Sequence, residues 1–390
     1  MSDFSDRVSQ DLSDRKLSLR GVAKALNYDP GYLSRVLSGK QHPSENLVMA
    51  LDKYLSCDGE LIALAAIRQP EEAATIHRSS TEFEALELIR RVQATDVGPT
   101  TLDFLQTVFD ELAMAYPKVP PAELLAQVQM NTGYVANLLT GKKTLTEHRR
   151  LLVLGAWFSL LGATLHIDLE QATPAVAWLK TASVMADEAG HAEIRAWCYE
   201  TEAWRVLTAG DYRRALELSR AGQDIAPAGS SALIQATAQE GRARARLGAA
   251  REAYAAIERV QHLADNFDAS EGPEHHYRYD PAKAVSYTAT TLAWVGDPAA
   301  EDYAREIIAR LAPSENVERW PRRVAAAKID LALTLLKSDR LDEACDATRK
   351  ALLSGKVVPS NRWRALEVVK AVEQKRLPEA SDLREAFLDS

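Results

Sequence analysis

Cysteine, glycine and proline are all scarce in this chain: 3, 18 and 16 of 390 residues. Cys57, Cys198 and Cys345 lie far apart without CxxC spacing. That excludes a disulfide framework or a zinc knuckle and leaves each as a small apolar core residue. No run of alternating β-branched residues bounded by turns stands out, so the expected fold class is all-α. No apolar stretch approaches the roughly 20 residues that span a bilayer, and no membrane association is expected. The opening residues MSDFSDRVSQ lack the charged, apolar and small succession of a secretory signal, so a cytoplasmic location is expected. Gly-rich phosphate loops, GxSxG and HExxH are also missing. No catalytic residue, metal site or cofactor is therefore assigned, and the chain is not expected to be an enzyme.

What is present is length, helical periodicity and one basic segment. The chain is two to three times the usual single-domain length, which implies at least two domains. Its net charge of -8 argues against nucleic acid until it is resolved along the sequence, because counterion release needs local basicity. Between Arg15 and Pro43 stand Arg15, Lys16, Arg20, Lys24, Arg35 and Lys40 against Asp29 alone, with His42 as a further possible positive charge. Alanine and leucine recur at helical spacing elsewhere, broken at Asn27-Tyr28-Asp29-Pro30, Ala209-Gly210-Asp211 and Gly296-Asp297-Pro298. Three divisions follow: residues 1–70, a unit of short helices ending at Gln69-Pro70; residues 71–165, a helical connector with helices around 81–95, 101–115 and 147–165; and residues 166–390, where a pattern returns at roughly forty-residue intervals.

The segment from Ser18 to Pro43 reads SLRGVAKALNYDPGYLSRVLSGKQHP. Ser18 caps a helix whose inward face is Leu19, Val22, Ala23 and Leu26. After the turn at Asn27-Tyr28, Asp29 caps a second helix with Pro30 at its first position, Leu33 and Val36 inward, and Gly39 closing it. Gly31, Tyr32, Ser34 and Arg35 remain outward. The segment resembles the Cro/repressor-like helix-turn-helix domains, also called the xenobiotic-response-element (XRE) family, through Leu47, Ala50, Leu51 and Leu55 of the following helix. The resemblance implies a five-helix domain that binds double-stranded DNA with its second motif helix in the major groove. It places Asp29, Gly31, Tyr32, Ser34 and Arg35 at bases or nearby phosphates, and Lys40, Gln41 and His42 at the backbone. Ser18 and Arg20 are further backbone candidates; Leu19 stands where such domains commonly carry glutamine. A second segment, NTGYVANLLTGKK from Asn131 to Lys143, echoes Asp29 to Gln41. No Ser-led helix and turn precede it, so it is read as a packed helix.

From Arg195, RAWCYETEAWRVLTAGDYRRALELSRAGQDIAP resembles a tetratricopeptide repeat: Ala203 at the close helix approach, Gly210-Asp211-Tyr212 as the turn, Ala215 in the second helix and Pro227 at the end. A second copy carries Gly241, Gly248 and Ala253. Weaker copies centre on Gly296-Asp297 and on Asp339 to Ala344, and one with Ala175 and Trp178 precedes, giving about five helical pairs of an α-solenoid. On this alignment the concave face presents Trp197, Glu200, Trp204, Gln235, Arg242 and Arg246. They fit a wall for a peptide, small molecule or protein partner; they equally fit core tryptophans beside solvated arginines.

His275-His276 reads as a solvated loop, since adjacent histidines project differently and no third ligand has suitable spacing. Asp187-Glu188 beside His191 reads as an ordinary helix end at Gly190. The whole is similar in architecture to peptide-pheromone-responsive regulators that join a Cro-like domain to tetratricopeptide repeats. That implies a ligand-responsive transcription regulator acting as a homodimer. The alternative is a repeat scaffold or antitoxin-like adaptor working through protein contacts.

Overall fold

Side-chain caps fix where the first helices begin. The computed structural model describes residues 3–66, 87–265, 275–279, 281–312 and 320–390, and among them every regular element is a helix. They fall into two compact units, residues 1–93 and 94–390. The first holds α1 (Asp3–Asp14), α2 (Leu19–Ala25), α3 (Pro30–Leu37), α4 (Glu45–Leu55) and α5 (Glu60–Ala66). Ser18 Oγ accepts from Gly21 N–H at 3.2 Å, Asp29 Oδ1 from Tyr32 N–H at 2.7 Å, and Ser44 Oγ from Leu47 N–H at 3.3 Å. Each such cap contributes about 1 kcal/mol. Asn27 takes a left-handed φ of 58° in the turn between α2 and α3, a conformation asparagine tolerates. Phe4, Val8, Val22, Leu33, Val36, Leu47, Leu51 and Leu55 close one apolar core. Buried Asp52 accepts from Gly59 and Leu61 N–H at 2.8 and 3.0 Å, fixing the start of α5. The break expected at Gln69-Pro70 lies outside the described residues. So does the first part of the helix expected around 81–95, of which residues 87–93 are helical.

In residues 94–390, α6 (Pro99–Ala115) and α7 (Pro121–Thr140) lead into successive hairpins. These pair α8 (Leu145–Asp168) with α9 (Ala172–Glu188), α10 (Ala192–Thr208) with α11 (Tyr212–Ile225), and α12 (Ser231–Arg246) with α13 (Ala250–Asp265). The remaining pairs are α14 (Pro281–Val295) with α15 (Ala300–Leu311), α16 (Pro321–Lys337) with α17 (Leu341–Leu353), and α18 (Pro359–Gln374) with α19 (Ala380–Asp389). That is one pair more than the sequence pattern indicates. Every turn inside a hairpin contains one left-handed residue: Glu170, Gly210, Gly248, Gly296, Asp339 and Arg376, with φ of 56°, 89°, 73°, 92°, 58° and 57°. Small residues permit the close crossings: a Cβ at Gly241 would stand 3.3 Å from Ala256 Cβ.

Helix α8 corrects the expectation that no apolar run of membrane-spanning length exists: by length and composition it is long and apolar enough. It is the central core helix of its unit, with Leu151, Leu154, Phe158, Leu160, Leu161 and Leu165 buried among α6, α7, α9 and α10. The expected division at residue 165 falls within it. The segment Asn131 to Lys143 lies largely in the second half of α7 with no helix break before it, and Asn131 and Val135 are buried, so it is not a second helix-turn-helix.

The array curls until its last hairpin touches its first. Asp168 at the end of α8, 1 % exposed, accepts from Tyr116 Oη at 2.8 Å and from Ser360 Oγ of α18 at 3.1 Å, and pairs with Arg322 of α16 at 3.4 Å. Arg322 also donates to the Val119 carbonyl and lies over the Tyr116 ring. The first helices of the six hairpins consequently face a shared interior.

Candidate nucleic-acid interface and interior cavity

Helix α3 turns Leu33 and Val36 into the core and leaves Gly31, Ser34 and Arg35 exposed. Arg35 Nε donates to Gln41 Oε1 at 2.9 Å, which ties the guanidinium to the loop after the helix. That loop starts with Gly39 at φ 72°, and its Lys40 and Gln41 N–H groups both donate to the Arg35 carbonyl, at 2.8 and 3.1 Å. Lys40, Gln41 and His42 stand exposed beside Arg35 as a result. Gly31 keeps this face open: a Cβ there would meet Asp29 Oδ1 at 3.0 Å and Arg35 Nη1 at 3.4 Å.

Three of the residues expected at DNA already have work within the fold. Ser18 and Asp29 spend their side-chain oxygens on caps. Tyr32 is half-buried; its ring stacks on Tyr28 with centroids 6.1 Å apart, and its hydroxyl accepts from Ser44 N–H at 3.0 Å. It pins α3 to the start of α4. Gly31, Ser34, Arg35, Lys40, Gln41 and His42, with exposed Arg20 at the start of α2, remain as the outward set.

In the repeat unit, Trp197, Glu200, Trp204, Gln235 and Arg242 come together around one cavity of about 200 Å³. Arg246 does not join them. Its Nη2 pairs with Glu367 at 2.9 Å, and its guanidinium carbon sits 4.3 Å from the Trp294 ring centre and 4.7 Å from that of Trp363. It lies outside the cavity lining, held by cation–π contacts to two other first helices. The cavity also takes Asp168, His276, Lys283, Tyr287, Arg322 and Arg364, of which sequence reasoning named only His276, and that as a solvated loop. Their signal was only positional: apart from His276, they lie on first helices of hairpins.

Residues 275–279 overturn the solvated-loop reading. His275 is 5 % exposed with Nε2 3.1 Å from Asp110 Oδ1, and His276 packs 4.1 Å from the Tyr116 ring centre. The cause is Tyr277 next to them. Its buried ring fills a gap between Phe109, Trp157 and Trp197 and drags the short segment inward. His276 thereby reaches the cavity wall.

Within the cavity, Gln235 Nε2 donates to Glu200 Oε1 at 3.1 Å and to Tyr287 Oη at 2.6 Å. Burial pushes the Glu200 carboxyl up to about 7, against the pull of Gln235, Arg242, Lys283 and Thr201, and pushes Asp168 up to about 6. Burial also lowers Arg242 from its usual value and holds His276 well below the ordinary histidine range.

A folded-state carboxyl raised above its unfolded value stabilises the fold below the unfolded value, and that contribution is lost as pH rises through the folded one. Glu200 should therefore weaken the repeat unit between about pH 4.5 and 7. His275 and His276, held low, act in the opposite sense below pH 6.5. The difference between wild type and Glu200→Gln isolates the carboxyl: the variant should melt higher at pH 8, with the gap closing towards pH 5. Thermal unfolding followed by tryptophan emission measures it, because all seven tryptophans lie in residues 94–390. A gap independent of pH would contradict the burial argument.

In a comparison with known families, residues 13–65 match a helix-turn-helix domain. These residues run from the end of α1 through α2, α3 and α4 to α5. No curated protein matches the chain. The chain thus carries an N-terminal helix-turn-helix domain, of a kind that binds DNA, ahead of a helical array of hairpin repeats.

Proposed function

From the helix-turn-helix match over residues 13–65, we propose that this chain is a cytoplasmic, sequence-specific DNA-binding transcription regulator of the Cro/repressor-like (XRE) type. Residues 1–70 supply the reading head. The hairpins are a tetratricopeptide-type array that binds a peptide, small molecule or protein partner and mediates homodimerisation, and the chain acts by binding rather than catalysis. One observation carries the reading: α3 presents Gly31, Ser34 and Arg35 outward, with Lys40, Gln41 and His42 on the loop that Arg35 holds. Short side chains let the helix approach base edges, the guanidinium suits the two acceptors of guanine, and the loop cations suit phosphates.

The test begins with selection of bound duplexes from a random pool by the full chain. On the enriched site, Arg35→Ala should cost about 1–3 kcal/mol and relax preference at one base position. Lys40→Ala should weaken enriched and random duplexes alike. Unchanged affinity and unchanged base preference in Arg35→Ala would show that α3 is not the reading helix.

A further inference from the structure

Arg242 is a buried guanidinium at the cavity wall. It is 7 % exposed and, among the described residues, has no carboxylate within ion-pair distance, Glu200 and Asp330 attracting it only from further away. Its Nη1 donates to Gln239 Oε1 at 3.0 Å, its guanidinium carbon lies 5.2 Å from the ring centres of Tyr287 and Trp294, and its Nε has no hydrogen-bond partner. Other buried arginines of this unit are matched: Arg364 with Asp330, Arg322 with Asp168. A buried cation left unpaired is costly, and retaining one at a cavity wall needs a counter-charge.

Among the described residues, Arg242, Lys283, Arg322, Arg323 and Arg364 line the cavity together with Asp168 and Glu200, and Asp330 stands behind Arg364. Two further atoms on residues at least nine-tenths buried, Gln235 Oε1 and Trp197 Nε1, also lack hydrogen-bond partners. Buried polar groups in native proteins are nearly always satisfied, and these three orphaned atoms belong to side chains that line the same cavity. At about 200 Å³ the space is smaller than the roughly 300–1,000 Å³ of pockets that take drug-sized molecules, and its flat walls are Trp197, Trp204 and Tyr287.

Resting on the reading of the array as a ligand-binding domain, we propose that this cavity holds a small organic anion, a carboxylate or a phosphate monoester, with its charge on Arg242 and its planar body between the aromatic walls. Because the first helices of all six hairpins supply wall residues, the bound anion ties the first hairpin to the last. Its occupancy then bears on the curl of the whole array rather than on one repeat.

Benzoate, its uncharged counterpart benzamide, and phenyl phosphate are suitable probes, titrated into the full chain by calorimetry and by the emission of Trp197 and Trp204. At least one of the two anions should bind, about tenfold or more tightly than benzamide, as a charge-assisted contact to a buried guanidinium requires. The ratio of benzoate to phenyl phosphate then separates the two anion types. Gln235→Glu, which sets a second carboxyl beside Glu200 on the wall, should weaken the anion more than benzamide; Arg242→Lys should lose about tenfold for the anion. The comparison of benzoate with benzamide on the wild-type chain needs no variant, so a variant that fails to fold does not remove the test. Equal affinity for anion and amide, or no binding of either anion at about 10 mM, overturns the proposal. DNA takes no part in the titration, so a failure of α3 to read DNA and a failure of this site are told apart.

Discussion

Asp330→Ala is expected to lower the stability of residues 94–390 by about 3–5 kcal/mol, the usual consequence of removing one partner from a buried ion pair. Asp330 and Arg364 are each 2 % exposed and in direct contact, and Asp330 Oδ2 also accepts from Thr290 Oγ1 at 2.7 Å. The pair joins α16 to α18, and Thr290 adds α14, so three hairpins lose a shared anchor at once. The substitution strands the buried Arg364 guanidinium without its carboxylate. The cost is therefore larger than the worth of the pair itself, and the double variant Asp330→Leu with Arg364→Met should recover most of it. Urea unfolding followed by tryptophan emission reports on this unit alone. A loss under about 1 kcal/mol in the single variant would mean that the pair is solvated in solution.

Leu33→Ala should cost the N-terminal unit about 2–5 kcal/mol. Leu33 is fully buried where α3 meets the core. A domain of this size holds only about 3–10 kcal/mol in total at the usual 0.05–0.15 kcal/mol per residue, so the loss approaches the whole. Hydrogen exchange resolved by peptide is the check: amides in α2, α3 and α4 should lose most of their protection. Retained protection in α3 would show that the cavity left by the leucine collapses.

The two motif helices were legible because their ends are written in side chains: Ser18, Asp29, Pro30 and Gly39 each satisfy a local backbone need, and the helices run between them. The repeat was legible where glycine occupies the left-handed turn, at Gly210, Gly248 and Gly296, and where Asp339 stands in for it. Glu170 and Arg376 adopt the same φ without announcing it, so the first hairpin was faint and the last was not recognised at all. What could not be read came from contacts distant in sequence. Arg242 and Arg246 lie one helical turn apart on α12 and look alike in the sequence; Trp294, Trp363 and Glu367, from α14 and α18, turn one of them into a structural cation. The histidine pair was misjudged for the same reason, since the partners that bury it, Phe109, Asp110 and Tyr116, belong to α6 and the turn after it. In helix α8 the apolar run itself was passed over, and its burial among α6, α7, α9 and α10 is what marks it as a core helix.

DNA recognition by α3 is tested most directly by equilibrium titration of the full chain against its enriched duplex and a scrambled duplex of the same composition, over a series of salt concentrations. The enriched duplex should bind about 10³-fold or more tightly than the scrambled one. Log affinity should fall linearly with log salt, by about 0.9 per phosphate contacted, and Lys40→Ala should reduce that slope by about 1. Equal affinity for the two duplexes at every salt concentration would contradict a sequence-reading role for this chain.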